Sequence, residues 1–290
     1  MKKHDTFELW LHGDDALSEL HGAGVVLREP LQAWPLSVVE RITFADGASR
    51  IYKAFRNLPT EADFYRAVRS RHIPKVFYSH SDGDRHWLLL EDVGGRHPGQ
   101  LDREQALRLA QQAREIVSGL GPAGPYRYDL SERGYSGFVN AAVGLLRKLH
   151  QEQKLEAVDG TAIARIEEAL SHPEALRAVR GRCALLHGDL KCNNILLCPD
   201  GELVLIDWQN ILFGPEDIDI YTLLASQDID PVPVAGIGPE ILRMALAVKW
   251  LADCIDRWLP QWAGFYGGQI AALEENMRRV IKKPLDTPPA

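Results

Sequence analysis

Between residues 24 and 93, apolar and polar positions alternate over short runs separated by turn residues. Ser37–Phe44 (SVVERITF) and Arg50–Phe55 (RIYKAF) flank Ala45-Asp46-Gly47-Ala48, a pattern that predicts an antiparallel hairpin. Lys75–Tyr78 and His86–Leu90 flank Ser81-Asp82-Gly83-Asp84 and predict another. Between the hairpins, Asn57-Leu58-Pro59-Thr60-Glu61 reads as a helix start, with Thr60 as N-cap and an acid in the first turn. Phe64, Tyr65 and Val68 then supply helical spacing. Strands, one helix and more strands make a small α+β lobe over residues 1–93, and Gly94-Gly95 suit a connection out of it.

Over residues 94–290 the period turns helical. Leu101-Asp102-Arg103-Glu104-Gln105 is a capping-box pattern opening a helix to about Ser118. Gly119–Pro125 breaks it, and helices are expected over 136–151 and 160–180. Two short apolar strands joined through Pro199-Asp200-Gly201 follow. Pro239 opens a helix whose apolar stripe is Ile241, Met244, Val248, Leu251, Ile255 and Leu259, opposite Trp250, Asp253 and Arg257. A last helix is expected over 268–282, with Thr287–Ala290 loose. The most apolar stretch, Ile241–Ile255, carries Arg243, Lys249 and Asp253 and is too short to span a bilayer, so no membrane partner is expected.

Composition narrows the function classes. At 46% hydrophobic and 25% charged, the chain has an ordinary globular balance. Its net charge of −7 argues against a nucleic-acid partner, which requires a basic face to displace counterions. A cationic substrate would suit that charge, as would simple solubility. Cys183, Cys192, Cys198 and Cys254 show neither a C-x-x-C spacing nor paired histidines, so no zinc site or disulfide framework is signalled. The N-terminus lacks an apolar signal core, and a cytoplasmic, reduced enzyme is expected.

The densest chemical signal is Ala184–Cys198, containing His187-Gly188-Asp189, with Asn194 five residues after Asp189, followed by Val204-Leu205-Ile206-Asp207-Trp208. Phosphoryl transfer on magnesium needs a carboxylate to orient a hydroxyl, and an amide plus a second carboxylate to hold the metal. Asp189 is the candidate base, and Asn194 and Asp207 are hard oxygen donors suited to Mg²⁺. Asp207 ends an apolar strand. Lys53, on the strand Arg50–Phe55, is placed like the strand lysine that pairs with nucleotide phosphates. Helical spacing puts Glu61 and Asp63 on different faces, so only one can reach that lysine; Glu61 is chosen.

The protein-kinase signature reads H-R-D-x-x-x-x-N and then D-F-G. With Gly188 in place of the arginine and Trp208 after Asp207, approximately residues 30–225 resemble the aminoglycoside phosphotransferase family of small-molecule kinases. That resemblance implies a bilobal protein-kinase-like α+β fold, with a small β-rich N-lobe and a larger, mainly helical C-lobe. It also implies ATP as co-substrate and Mg²⁺ as cofactor. Glu61-Ala62-Asp63-Phe64-Tyr65 resembles the family's E-x-x-F-Y, which makes Glu61 the holder of Lys53. Trp87–Val93 resembles the hinge strand, in which Leu90 is the gatekeeper and the Glu91 carbonyl and Val93 amide read the adenine edge. His187 would brace the loop, and Asp219, or else Asp217, would fasten it. The turn Leu31–Ser37 contains no glycine, so Ser37 is the candidate phosphate contact there. Lys191 stands where many members have histidine, and Cys192 in the loop suggests sensitivity to alkylation.

The acceptor is open on sequence alone. Trp250, Trp258, Trp262, Phe265 and Tyr266 could cage a quaternary ammonium, and Asp228, Asp230, Asp253 and Asp256 could bind an aminoglycoside's amines. An aromatic core beneath a solvated acidic face explains the same residues. The expected activity is ATP- and Mg-dependent O-phosphorylation of an aminoglycoside-like, choline-type or sugar-type compound; the alternative is a nucleotide-binding pseudokinase without turnover. A protein acceptor is disfavoured by the short segment between Asp207 and Gly214-Pro215.

Overall fold

A computed structural model describes residues 1–57, 59–121 and 126–282. Parts of three sequence expectations lie outside those residues: Leu58 of the helix start, 122–125 of the expected break, and the loose end 287–290. In chain order the elements run β1 (Lys2–Lys3), β2 (Trp10–Leu11), α1 (Asp14–His21), β3 (Val25–Trp34), β4 (Ser37–Phe44), β5 (Ser49–Arg56), α2 (Pro59–Ala67), β6 (Val76–Asp82), β7 (Arg85–Glu91) and α3 (Arg103–Gly119). There follow β8 (Tyr128–Asp129), α4 (Glu132–Gln151), α5 (Gly160–Leu170), α6 (Pro173–Arg180), β9 (Cys183–Leu186), β10 (Ile195–Leu197), β11 (Leu203–Leu205) and β12 (Leu212–Pro215). The chain ends with α7 (Asp217–Ala225), α8 (Val232–Ala235), α9 (Ile237–Asp253) and α10 (Ala263–Ile281). It divides into two compact units, residues 1–127 with 187–211, and residues 128–186 with 212–290.

The first unit is built on a five-stranded antiparallel sheet in the order β3-β4-β5-β7-β6. Strand parity divides its residues between two faces. Val38, Ile42, Phe44, Tyr52, Ala54, Trp87 and Leu89 point to one face and form a core with Leu9, Leu11 and Leu17. The first 21 residues therefore cover this face, with the Trp87 indole donating to the Trp10 carbonyl at 2.6 Å and the His12 amide donating to the Tyr52 hydroxyl at 2.9 Å. Ser37, Val39, Arg41, Ile51, Lys53 and Leu90 occupy the opposite parity and line a cavity.

Both hairpins form as expected, but the helix between them begins two residues early. Pro59 is its first residue and Thr60 lies inside it, because proline's fixed φ suits the first helical position. In α3 the capping box is complete: the Asp102 carboxylate accepts from the Gln105 amide at 2.9 Å, and the Gln105 side-chain oxygen accepts from the Asp102 amide at 3.0 Å. Between β7 and α3 the chain runs against β10, through paired backbone hydrogen bonds of Arg96 and Leu197 at 3.0 and 2.8 Å. Gly95 permits this approach, since a Cβ there would come within 2.9 Å of the Leu196 Cβ.

In the second unit, β12 pairs parallel to β8 and antiparallel to β9, beside the helices α4, α5, α6, α7, α9 and α10. The helix expected over 160–180 is two helices. Ser171-His172 interrupts it because His172 precedes a proline and is extended, with φ −62° and ψ 138°. The stripe expected on α9 is buried throughout, but so is Asp253 on the face opposite it, together with Lys249. They pair at 2.6 Å, and the Tyr128 hydroxyl lies 3.3 Å from the same carboxylate oxygen. Helix α10 starts at Ala263, five residues before position 268, and runs on through Gly267 and Gly268. Asp219 is buried in the first turn of α7. No helix among the described residues is long and apolar enough to cross a membrane.

Candidate active site

Within the first unit, a cavity of about 660 Å³ is lined by Ser37, Lys53, Glu61, Glu91, Val93, Asp189, Asn194 and Asp207. The sequence distributes these residues over β4, β5, α2, β7 with its exit, the loop after His187, and the end of β11; the fold brings all eight to one surface. Asp63, the competitor for Lys53, instead pairs with Arg66 on the exposed side of α2.

At the back of the cavity, the Lys53 Nζ sits 2.8 Å from Glu61 and 2.7 Å from Asp207. Lys53 and Glu61 are 8% and 1% exposed, so water does little to relieve either charge. One ammonium faces two carboxylates, which leaves a surplus negative charge at the back of the cavity. Burial, reinforced by the neighbouring Asp207 charge, pushes the Glu61 carboxyl up to about 7 despite Lys53. Burial opposes the ionised form of Asp207 too, but Lys53, His187 and Lys191 outweigh it and hold the Asp207 carboxyl below the usual range. The two carboxylates are thereby differentiated. Asp207 stays charged, and Glu61 is the group that takes up a proton.

Asp207 has left-handed backbone angles, φ 64° and ψ 59°, where an L-residue pays about 1 kcal/mol. Trp208 holds that turn in place. Its ring is fully buried, stacks on Phe64 of α2 with centroids 4.2 Å apart, lies 4.6 Å from the His187 ring, and donates from Nε1 to the Leu205 carbonyl at 3.0 Å. The same helix therefore carries Glu61 to Lys53 and Phe64 to the turn bearing Asp207.

The loop after β9 is held in several places. A His187 ring nitrogen lies 2.9 Å from the Ile206 carbonyl, a bracing position. Gly188 has φ 79°, which explains a glycine where a protein kinase has arginine. The Asn194 side-chain amide donates to the Asp189 carbonyl at 2.8 Å, and the Ile206 amide donates to the Asn194 carbonyl at 3.0 Å. These bonds fix the spacing between the Asp189 loop and the strand leading to Asp207. Lys191 pairs with the Asp189 carboxylate at 2.8 Å.

The donor set suits magnesium. Asn194 and Asp207 both line the cavity with oxygen, and the Asn194 amide nitrogen is engaged by Asp189, which leaves its oxygen for a cation. Two protein ligands are enough for an ion that keeps waters and takes phosphate oxygens. At the glycine-free turn, the Trp34 indole donates to the Ser37 hydroxyl at 2.8 Å, so an aromatic ring rather than glycine sets that corner. At the far end, the Glu91 amide donates to the Lys75 carbonyl at 2.8 Å and Leu90, largely buried, forms part of the cavity wall.

The sequence reading passed over Arg41, Asp92 and His97, which also line the cavity. Arg41 could have been found by parity, as it continues the Ser37–Val39 face of β4. Cys192 is 7% exposed, and burial pushes its thiol up, which runs against the expected ease of alkylation.

Two of the second unit's four candidate acceptor carboxylates are already partnered, while Asp228 and Asp230 are exposed. Asp253 pairs with Lys249, and Asp256 with Lys148 at 2.6 Å, so neither is an open carboxylate. Tyr266 packs edge-on to Trp250 at 6.2 Å and stacks with Trp262 at 5.9 Å, while Trp262 and Phe265 remain exposed.

The family model of the phosphotransferase enzyme family (APH) matches residues 44–278. A search of curated proteins returns no match. Among solved structures, a thermostable mutant of aminoglycoside phosphotransferase APH(4)-Ia is 17% identical, with a TM-score of 0.63 over 95% of this chain and 100% of that one. The same enzyme in ternary complex with ADP and hygromycin B is 16% identical, with a TM-score of 0.59 over 92% and 98%. A choline/ethanolamine kinase family protein from Mesorhizobium loti is 14% identical, with a TM-score of 0.62 over 89% of each chain. At these identities the likeness establishes a kinase-like fold, β-rich toward the N-terminus and helical toward the C-terminus. The family match covers most of the chain, and the protein belongs to the phosphotransferase enzyme family of small-molecule kinases.

Proposed function

We propose that the protein is an ATP- and Mg²⁺-dependent O-phosphotransferase that moves the γ-phosphoryl group to a hydroxyl of a small molecule. The observation that supports this best is the Lys53 ammonium held between Glu61 at 2.8 Å and Asp207 at 2.7 Å, on a cavity that Asp189 and Asn194 also line. Residues 1–93 act as the nucleotide-binding lobe, and residues 94–290 bring the catalytic loop and the acceptor region. Lys53 binds phosphate oxygens and Glu61 keeps it aimed. The Glu91 carbonyl and Val93 amide read the base edge, and the Ser37 hydroxyl contacts a phosphate. Asn194 and Asp207 would hold magnesium, which when bound neutralises charge on the β- and γ-phosphate oxygens.

Asp189 orients the acceptor hydroxyl and takes its proton as the acceptor oxygen bonds to the γ-phosphorus and the bond to the bridging oxygen breaks, releasing ADP. Lys191, paired with that carboxylate at 2.8 Å, helps hold it in place beside the acceptor hydroxyl. Four free cysteines suit a reducing cytoplasm. The acceptor is an aminoglycoside-like, choline-type or sugar-type alcohol.

ADP release with Mg·ATP across a panel of such alcohols tests the reading. Acceptor-dependent turnover that disappears in Asp189→Ala supports it. Tight ATP binding without turnover on any acceptor would instead favour a nucleotide-binding scaffold.

A further inference from the structure

We propose that Arg41 is a base-binding residue: its guanidinium packs against the purine of the bound nucleotide and contributes nothing to holding the phosphates. The inference rests on the nucleotide reading above and deepens it.

In the antiparallel register Lys53 sits opposite Val39 on β4, whereas Ile51 sits opposite Arg41. Ile51 in turn sits opposite Leu90 on β7, the last residue before Glu91 and Asp92. Two residues along a strand span about 7 Å, so Arg41 lies that far from the Lys53 row, toward Asp92. The cavity therefore has a phosphate end at Ser37 and Lys53, and an opposite end at Arg41, Ile51, Leu90 and Asp92.

The cationic end group is also pre-set. The Arg41 Nε donates to Asp92 at 2.8 Å, and its Nη1 donates to Glu29 of β3 at 2.9 Å. Asp92 is itself held by the Ser49 hydroxyl at 2.6 Å. Two anchors on one planar fork fix its plane, and among the described residues Nη2 has no hydrogen-bond partner. Beside it, Ile51 and Leu90 offer only aliphatic surface. A flat, weakly hydrated cation among aliphatic side chains matches a flat, electron-rich heteroaromatic ring, on which guanidinium groups stack. A phosphate at that end would have to lie beside Asp92 and Glu29, two carboxylates that repel it.

Calorimetric titration of wild type, Arg41→Ala and Arg41→Lys with adenosine, ATP and inorganic tripolyphosphate, each with Mg²⁺, tests the assignment. Arg41→Ala is expected to weaken adenosine and ATP by the same factor, about five- to thirty-fold, and to leave tripolyphosphate unchanged. Arg41→Lys keeps the charge and loses the flat face, and should recover little of the loss. Unchanged tripolyphosphate affinity also reports a folded site in the variants. Equal weakening of tripolyphosphate would make Arg41 a phosphate ligand, and unchanged adenosine affinity would leave it a structural ion pair; either result overturns the proposal. Wild type that binds neither ATP nor tripolyphosphate would instead overturn the nucleotide reading itself, and the role of Arg41 with it.

Discussion

Glu61→Gln converts the surplus charge behind the cavity into a measurable pH dependence. In the folded protein the Glu61 carboxyl is raised from 4.5 to about 7, chiefly by burial. Below the unfolded value both states bind the proton, and the group's stabilising contribution is complete. Between 4.5 and about 7 the unfolded chain releases the proton while the folded chain keeps it, so stability falls as pH rises and the contribution is lost above about 7. A shift of this size corresponds to on the order of 3 kcal/mol, or roughly 6–12 °C in Tm. Glutamine is neutral at every pH and carries no such dependence. Thermal unfolding of both proteins without nucleotide, from pH 5 to 8, should show the variant gaining on wild type by about that amount as pH rises. Parallel Tm curves, or wild type gaining on the variant, would refute the surplus-charge argument.

Asp189→Ala should lower kcat by about three orders of magnitude or more while leaving the ATP Kd nearly unchanged, because its work is done in the transition state; stopped kinetics with nucleotide titration checks both. Trp208→Ala should cost about 3–5 kcal/mol by leaving a cavity between Phe64 and His187, and Trp208→Phe markedly less, as read from chemical denaturation. Alkylation of Cys192 in the native protein should be far slower than in urea, since a buried thiol with a raised pKa presents little thiolate; mass spectrometry at fixed times would follow it.

Much of the site was legible because its residues sit at fixed chain offsets or strand parities. The Asp189–Asn194 spacing, the strand before Asp207 and the alternation around Lys53 are local patterns, and local backbone geometry places those side chains. Arg41 and Asp92 were illegible for the opposite reason, as their significance is a contact across 51 residues of chain. The first 21 residues gave no periodic signal, because they cover the sheet through isolated apolar residues such as Leu9, Leu11 and Leu17. The acidic face expected on α9 failed on partners, one a helical turn away and one 125 residues distant in the chain. Asp253 looked exposed by helical spacing, yet Lys249 and Tyr128 accompany it into the interior. Thr60 lies inside the helix rather than capping it because the neighbouring proline is the better first helical residue.

The most direct test titrates Mg·ATP into wild type, Asp207→Ala and Asp189→Ala under identical conditions. Wild type and Asp189→Ala should bind with the same magnesium-dependent affinity, while Asp207→Ala should lose the magnesium-dependent part altogether. Unchanged Mg·ATP binding in Asp207→Ala would contradict the account at its centre.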